Sequence, residues 1–186
     1  MQTLPDLALS VRQPWAWAIL HGGKIIENRS LGAIRAGGMK PGRICLHAAK
    51  GMKEAEYRYG LWRLQRHGVL CPPPDALPRG AIIGVVTVTG IITESTSEWF
   101  GGAAGLTLAD PVAIDPIPAV GALGYFEWAA KGELAKPAPW MRRYERRKDD
   151  LFSDAPVAFK DAPDKPWSGW RPGLSANGWV RVPVRD

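Results

Sequence analysis

Between positions 12 and 29 the chain gathers side chains that could hold, and act on, an anionic ligand carrying a base: Arg12, Gln13, Trp15, Lys24, Glu27, Asn28 and Arg29. Lys24 is suited to gripping a phosphate, or to acid–base work where burial lowers its pKa toward neutrality. Its structural alternative is a solvated lysine at a helix end. Glu27 and Arg29 stand two apart, so on an extended backbone they share a face. They form either a carboxylate that recognises an amino group and is held by a guanidinium, or a purely structural ion pair. Asn28 pairs with a base edge or forms a turn. Trp15 stacks a base, a contact worth about 1–3 kcal/mol, or packs in the core. Further on, His47 shares a strand face with Arg43 and Cys45 and either contacts the ligand or is satisfied within the sheet.

The elements that must position these groups are legible around them. Pro14 suits a first helical turn, and Trp15 to His21 is a short apolar helix stopped by Gly22 and Gly23. Arg12 and Gln13 then precede a helix N-terminus, where free N–H groups favour anions. Lys24 to Arg29 reads as a strand, because Ile25 and Ile26 prefer extended backbone. Gly32 to Gly42 reads as a Gly-rich crossing, and Arg43 to Ala48 as a second strand with Ile44, Leu46 and Ala48 on one side. Residues 52–67 have helical spacing, with Ala55, Tyr59 and Trp62 on one stripe. Ala81 to Thr93 is apolar enough to be a central strand covered on both faces. Gly105 to Ile114 predicts a strand broken near Asp110-Pro111, with Pro116 and Pro118 framing a turn before a last strand, Gly124 to Trp128.

Five segments, LSVRQPWAWAI (9–19), GGKIIENRS (22–30), ICLHAAKGM (44–52), AIIGVVTVTGII (81–92) and GALGYFEW (121–128), resemble in order the signature of the ASCH (activating-signal-cointegrator homology) family. The resemblance spans about residues 7–128. It implies an α+β, mainly β, fold: a small PUA-like mixed barrel of five or six strands flanked by two or three helices. It also implies a cleft between the first helix and the barrel for RNA, single-stranded nucleic acid or a plain or modified nucleotide. Arg12, Gln13, Trp15, Lys24, Glu27, Asn28 and Arg29 would line that cleft. One branch of the family deacetylates N4-acetylcytidine with a Lys, a Thr and a Glu. Lys24 matches its lysine, but Glu27 stands at the threonine position, which leaves only a water activated by Lys24 and Glu27. Other members are reported to cleave RNA without metal, a role for which Lys24, Arg29 and His47 would be the groups at hand.

Composition sets the outer bounds. The chain has 186 residues and nine Trp, enough for a real core. Its net charge of +6 is compatible with nucleic acid and weak evidence by itself. The two Cys and three His are scattered, so no metal or cofactor is expected. Residues 81–92 fall short of the ~20 needed to span a bilayer, so no membrane contact is expected. MQTLPDLALS lacks a basic start, which together with unpaired thiols points to a cytoplasmic protein. Residues 1–130 read as the barrel domain and 131–186 as a Pro- and Trp-rich basic extension packed on it. That extension holds a basic helix over 140–150 and an edge strand at 179–182. Its run Arg142 to Lys148 is either a phosphate grip or a solvated face.

Overall fold

The computed structural model describes residues 3–144 and the main chain of two short strands farther on. The elements run β1 (Leu7–Val11), α1 (Trp15–His21), β2 (Ile26–Arg29), α2 (Leu31–Ala36), β3 (Gly42–Ala48), α3 (Glu54–Arg66), β4 (Ala81–Ile92), β5 (Ala104–Pro118), β6 (Tyr125–Glu127) and α4 (Pro139–Arg142). The outlying β7 (Trp170–Pro172) and β8 (Trp179–Arg181) pair antiparallel with each other. The main sheet has the order β2-β5-β4-β3-β1-β6, with β1 parallel to β3 and every other pair antiparallel.

This sheet is strongly curled. Strands in a flat sheet lie about 4.8 Å apart, so β1, four places from β2, would be roughly 19 Å away. Instead the Arg29 side chain on β2 reaches the main chain of Ser10 on β1 at 2.6 Å. The seam between β2 and β1 is where the barrel stays open, and both strands present polar residues there. Inside, Leu9, Ile44, Leu46 and Val86 pack with Ile19 of α1 and Leu61 and Leu64 of α3. A second, smaller cluster of Ala8, Cys45, Ile82, Val85 and Ala119 fills the other face of the sheet.

Several local expectations change once the chain is folded. β4 is covered on both faces only over its first half; from Thr87 on, only Val88 is buried and the other residues are partly or fully exposed. β5 is not broken at Asp110-Pro111. It absorbs both residues between the pairs Ala109↔Thr87 and Val112↔Val85, with Asp110 at a φ of 49°. Proline is tolerated because β2 pairs only as far as Thr107, so beyond that point β5 has β4 as its single neighbour. Pro116 and Pro118 accordingly end this strand instead of framing a turn. The crossing after β2 contains a helix, α2, capped by Ser30 Oγ accepting from the Ala33 amide at 3.1 Å.

α3 carries a glycine in mid-helix, ordinarily worth about 1 kcal/mol less than alanine. Packing accounts for it: a Cβ on Gly60 would run into the Pro14 ring, so the proline that precedes α1 sits directly on the α3 backbone. After β6 the chain crosses back over the domain. Arg79, almost fully buried, donates to the carbonyls of Lys50 (2.6 Å) and Lys136 (2.8 Å). Trp140 and Tyr144 then pack their rings against Tyr57. The expected basic helix over 140–150 is helical only to Arg142, where α4 ends with Arg143 as its cap; 145–150, with Arg146, Arg147 and Lys148, lie outside the described residues. What Trp167, Trp170 and Trp179 pack against also lies outside them.

Candidate functional site

β2 supplies the centre of the site. Glu27 accepts from Lys24 Nζ at 3.2 Å through Oε2 and faces Arg29 Nε at 3.3 Å through Oε1. Lys24 also donates to the Ile26 carbonyl. The Lys24 side chain is only 2% exposed, and that burial lowers its pKa while the neighbouring Glu27 pulls it back up. Lys24 is therefore not a solvated helix-end lysine. It lies in the turn from α1 to β2, where its own amide bonds to the Ala18 carbonyl.

The start of α1 differs from the sequence-based expectation as well. Gln13 is fully buried; its Nε2 donates to the Pro78 carbonyl and its Oε1 accepts from the Trp17 amide, each at 2.9 Å. The Ala16 amide bonds to the Arg12 carbonyl. Those two N–H groups are occupied within the protein. Gln13 is a tie between α1 and the 78 segment.

A cleft of about 580 Å³ opens at the β1–β2 seam, walled by Arg12, Trp15, Glu27, Asn28 and Arg29, with Glu56 of α3 opposite. Arg12, largely exposed, pairs with Glu56 at 3.3 Å. Burial raises the Glu56 pKa, and Arg12 works against that rise. Behind the cleft, and sharing Trp15 and Asn28 with it, lies a chamber of about 20 Å³ that includes Lys24, Tyr59, Arg63 and Trp99 in its wall.

Asn28 is committed to the loop after β4. Its Nδ2 donates to the Trp99 carbonyl at 2.8 Å and its Oδ1 accepts from the Gly101 amide at 2.9 Å. Trp99 is stacked on His67 with ring centroids 4.2 Å apart, and Arg63 donates to the Glu98 carbonyl. This loop forms a wall of both cavities, and it is the part that sequence reading missed. Only the run of Ser, Trp and Gly at 95–102, polar and aromatic between two apolar strands, marked it.

His47 stands apart from the cleft. Its Nδ1 meets Ser10 Oγ at 2.9 Å and its Nε2 meets the Ala119 carbonyl at 3.1 Å. A carbonyl only accepts, so Nε2 carries the proton and Nδ1 accepts from the serine. Burial lowers the His47 pKa, and the neutral ring is a cross-sheet tie. Among the described residues no group of three His, Cys, Asp or Glu could hold a metal, and no helix is long and apolar enough to cross a membrane.

The chain matches the ASCH domain over residues 9–138, a span that includes every residue of the cleft named above. It belongs to the ASCH family. At the level of the family this is a PUA-like domain of the nucleic-acid-binding class. No curated protein matches the chain in sequence. In this ASCH domain, then, Arg12, Trp15, Glu27, Asn28 and Arg29 border one cleft, Lys24 supports it from within, and Gln13 and His47 hold the framework elsewhere.

Proposed function

We propose that this ASCH domain binds RNA or another single strand by taking one unpaired nucleotide into the cleft between α1 and the β1–β2 seam. The observation that carries the reading is the pairing of Glu27 and Arg29 at the wall of a cleft of about 580 Å³. That volume lies in the range of sites for a single small ligand. Such a volume is too small to enclose a duplex, and single-strand recognition through splayed-out bases is the common mode for RNA. Arg12 and Arg29 supply cations for phosphate, Glu27 supplies acceptors for a base, and Trp15 forms an aromatic wall.

Fluorescence anisotropy with short labelled RNA and DNA single strands tests this. Arg12→Ala is expected to weaken binding and to lower the salt slope by about 0.7, the contribution of one phosphate contact on a single strand. Absence of binding at low salt, or binding indifferent to Arg12→Glu, would refute the reading.

A second reading has its own observation. The chamber beside Lys24 is large enough for about one water molecule, which needs roughly 10–15 Å³. A water there, beside an amine whose pKa burial lowers and a carboxylate 3.2 Å from it, fits hydrolysis of an N4-acylated cytidine by acid–base catalysis. Product chromatography after incubation with N4-acetylcytidine tests it, with Lys24→Met as the inactive control. RNA cleavage gains no such support, because both nitrogens of His47 are engaged.

A further inference from the structure

We infer that the base read in the cleft is guanine and that Glu27 is the residue that reads it. The inference rests on the single-strand reading above. A carboxylate has two oxygens with about two acceptor positions each. In Glu27 one position on Oε2 is taken by Lys24, while Oε1 lies 3.3 Å from Arg29 Nε as an ion pair without a hydrogen bond. The Lys24 side chain is 2% exposed and does not line the cleft, whereas that of Glu27, 6% exposed, does, and its remaining positions are assigned to the cleft. The cleft thus offers a pair of adjacent acceptors, one on each oxygen.

Two adjacent acceptors select two adjacent donors. On the pairing edges of the four common bases only guanine has them, in its N1–H and its amino group. Adenine and cytosine place one amino group beside an unprotonated ring nitrogen, whose lone pair would meet the second carboxylate oxygen. Uracil offers a single N–H between two carbonyls. Asn28 does not compete as a reader, since both ends of its amide hold the Trp99–Gly101 loop. Arg29 donates Nη2 to Ser10 and turns Nε toward Glu27, and its Nη1 donors remain for O6 of the same base or for its phosphate.

The experiment varies one central nucleotide in a short labelled oligouridine and measures affinity for the whole chain. Guanosine is expected to bind about tenfold or more tighter than adenosine, cytidine or uridine, the scale at which a bidentate pair discriminates. Inosine, which keeps N1–H and lacks the amino group, is expected in between; 1-methylguanosine should fall to the uridine level. Glu27→Gln, checked for folding by circular dichroism, should erase the guanosine preference while Arg12 still holds the strand. The nucleotide ladder on the wild type decides the matter even where that variant fails to fold. Equal affinity for all bases, a preference for cytidine or adenosine, or inosine matching guanosine each overturns the guanine assignment and leaves the single-strand reading standing. Binding by none of the strands overturns both.

Discussion

Nη2 of Arg29, on the edge strand β2, donates to the main-chain oxygen of Ser10 on β1 at 2.6 Å. The same guanidinium faces Glu27 at 3.3 Å. One side chain therefore closes the open seam of the barrel and shapes the wall of the cleft. A hydrogen bond from a charged donor contributes about 1.5–3 kcal/mol. Arg29→Lys keeps the charge but loses the planar fork that serves both partners at once. Urea denaturation of that variant is expected to show a loss of about 1–2 kcal/mol, with an unchanged slope.

Lys24→Met should destabilise the domain, by less than the ~3–5 kcal/mol typical of a broken buried pair, because Arg29 still faces Glu27. The pH dependence is the sharper test. Burial lowers the Lys24 pKa, so the folded state gives up this proton before the unfolded state does. The unfolded state then binds more protons, and wild-type stability gains as pH climbs from the lowered value toward the ordinary 10.5. Lys24→Met lacks that gain, so the difference between the two proteins should widen as pH rises from the lowered value toward 10.5 in denaturation series. A constant difference would contradict the lowered value.

Gly60→Ala sets two effects of opposite sign against each other. Alanine favours the helix by about 1 kcal/mol. Its methyl would press on Pro14 at 2.2 Å, and overpacking of this kind typically costs about 1–3 kcal/mol. The contact is the larger effect, so thermal melting should fall. A rise would show that α1 and α3 separate easily.

His47→Gln should flatten the acid side of the stability profile. Burial lowers the His47 pKa, with the Ala119 carbonyl partly opposing it. Below the ordinary value of about 6.5 the unfolded ring is protonated while the folded one stays neutral, so wild-type stability falls as pH drops through this range. His67 has the same sign and remains in both proteins, so the wild-type-minus-variant difference isolates His47. It should change between about pH 7 and the lowered folded value.

What the amino-acid order determines by itself is local. Pro14 and the Gly22-Gly23 pair bound α1 as Trp15–His21, because both act on their own backbone torsions. Alternation placed Glu27 and Arg29 on one side, and they meet at 3.3 Å. The faces of β3 are legible for the same reason: Ile44 and Leu46 enter one cluster, and Cys45 enters the other. The RQPWA and GGKIIENRS segments also carry the family.

Tertiary structure decided what each polar side chain is for. Nothing near Gln13 indicates that its Nε2 will be used up by the Pro78 carbonyl, 65 residues away, and nothing near His47 points to the Ala119 carbonyl, 72 residues away. The wall contributed by Trp99 and Gly101 reaches Asn28 only because β5 pairs with β2 and delivers the preceding loop there. Pro111 reads as a break because proline lacks a donor, yet the strand continues where only one neighbour requires pairing. Local torsional preference is written residue by residue. Burial and the partner of a polar group arise only when distant strands curl into contact.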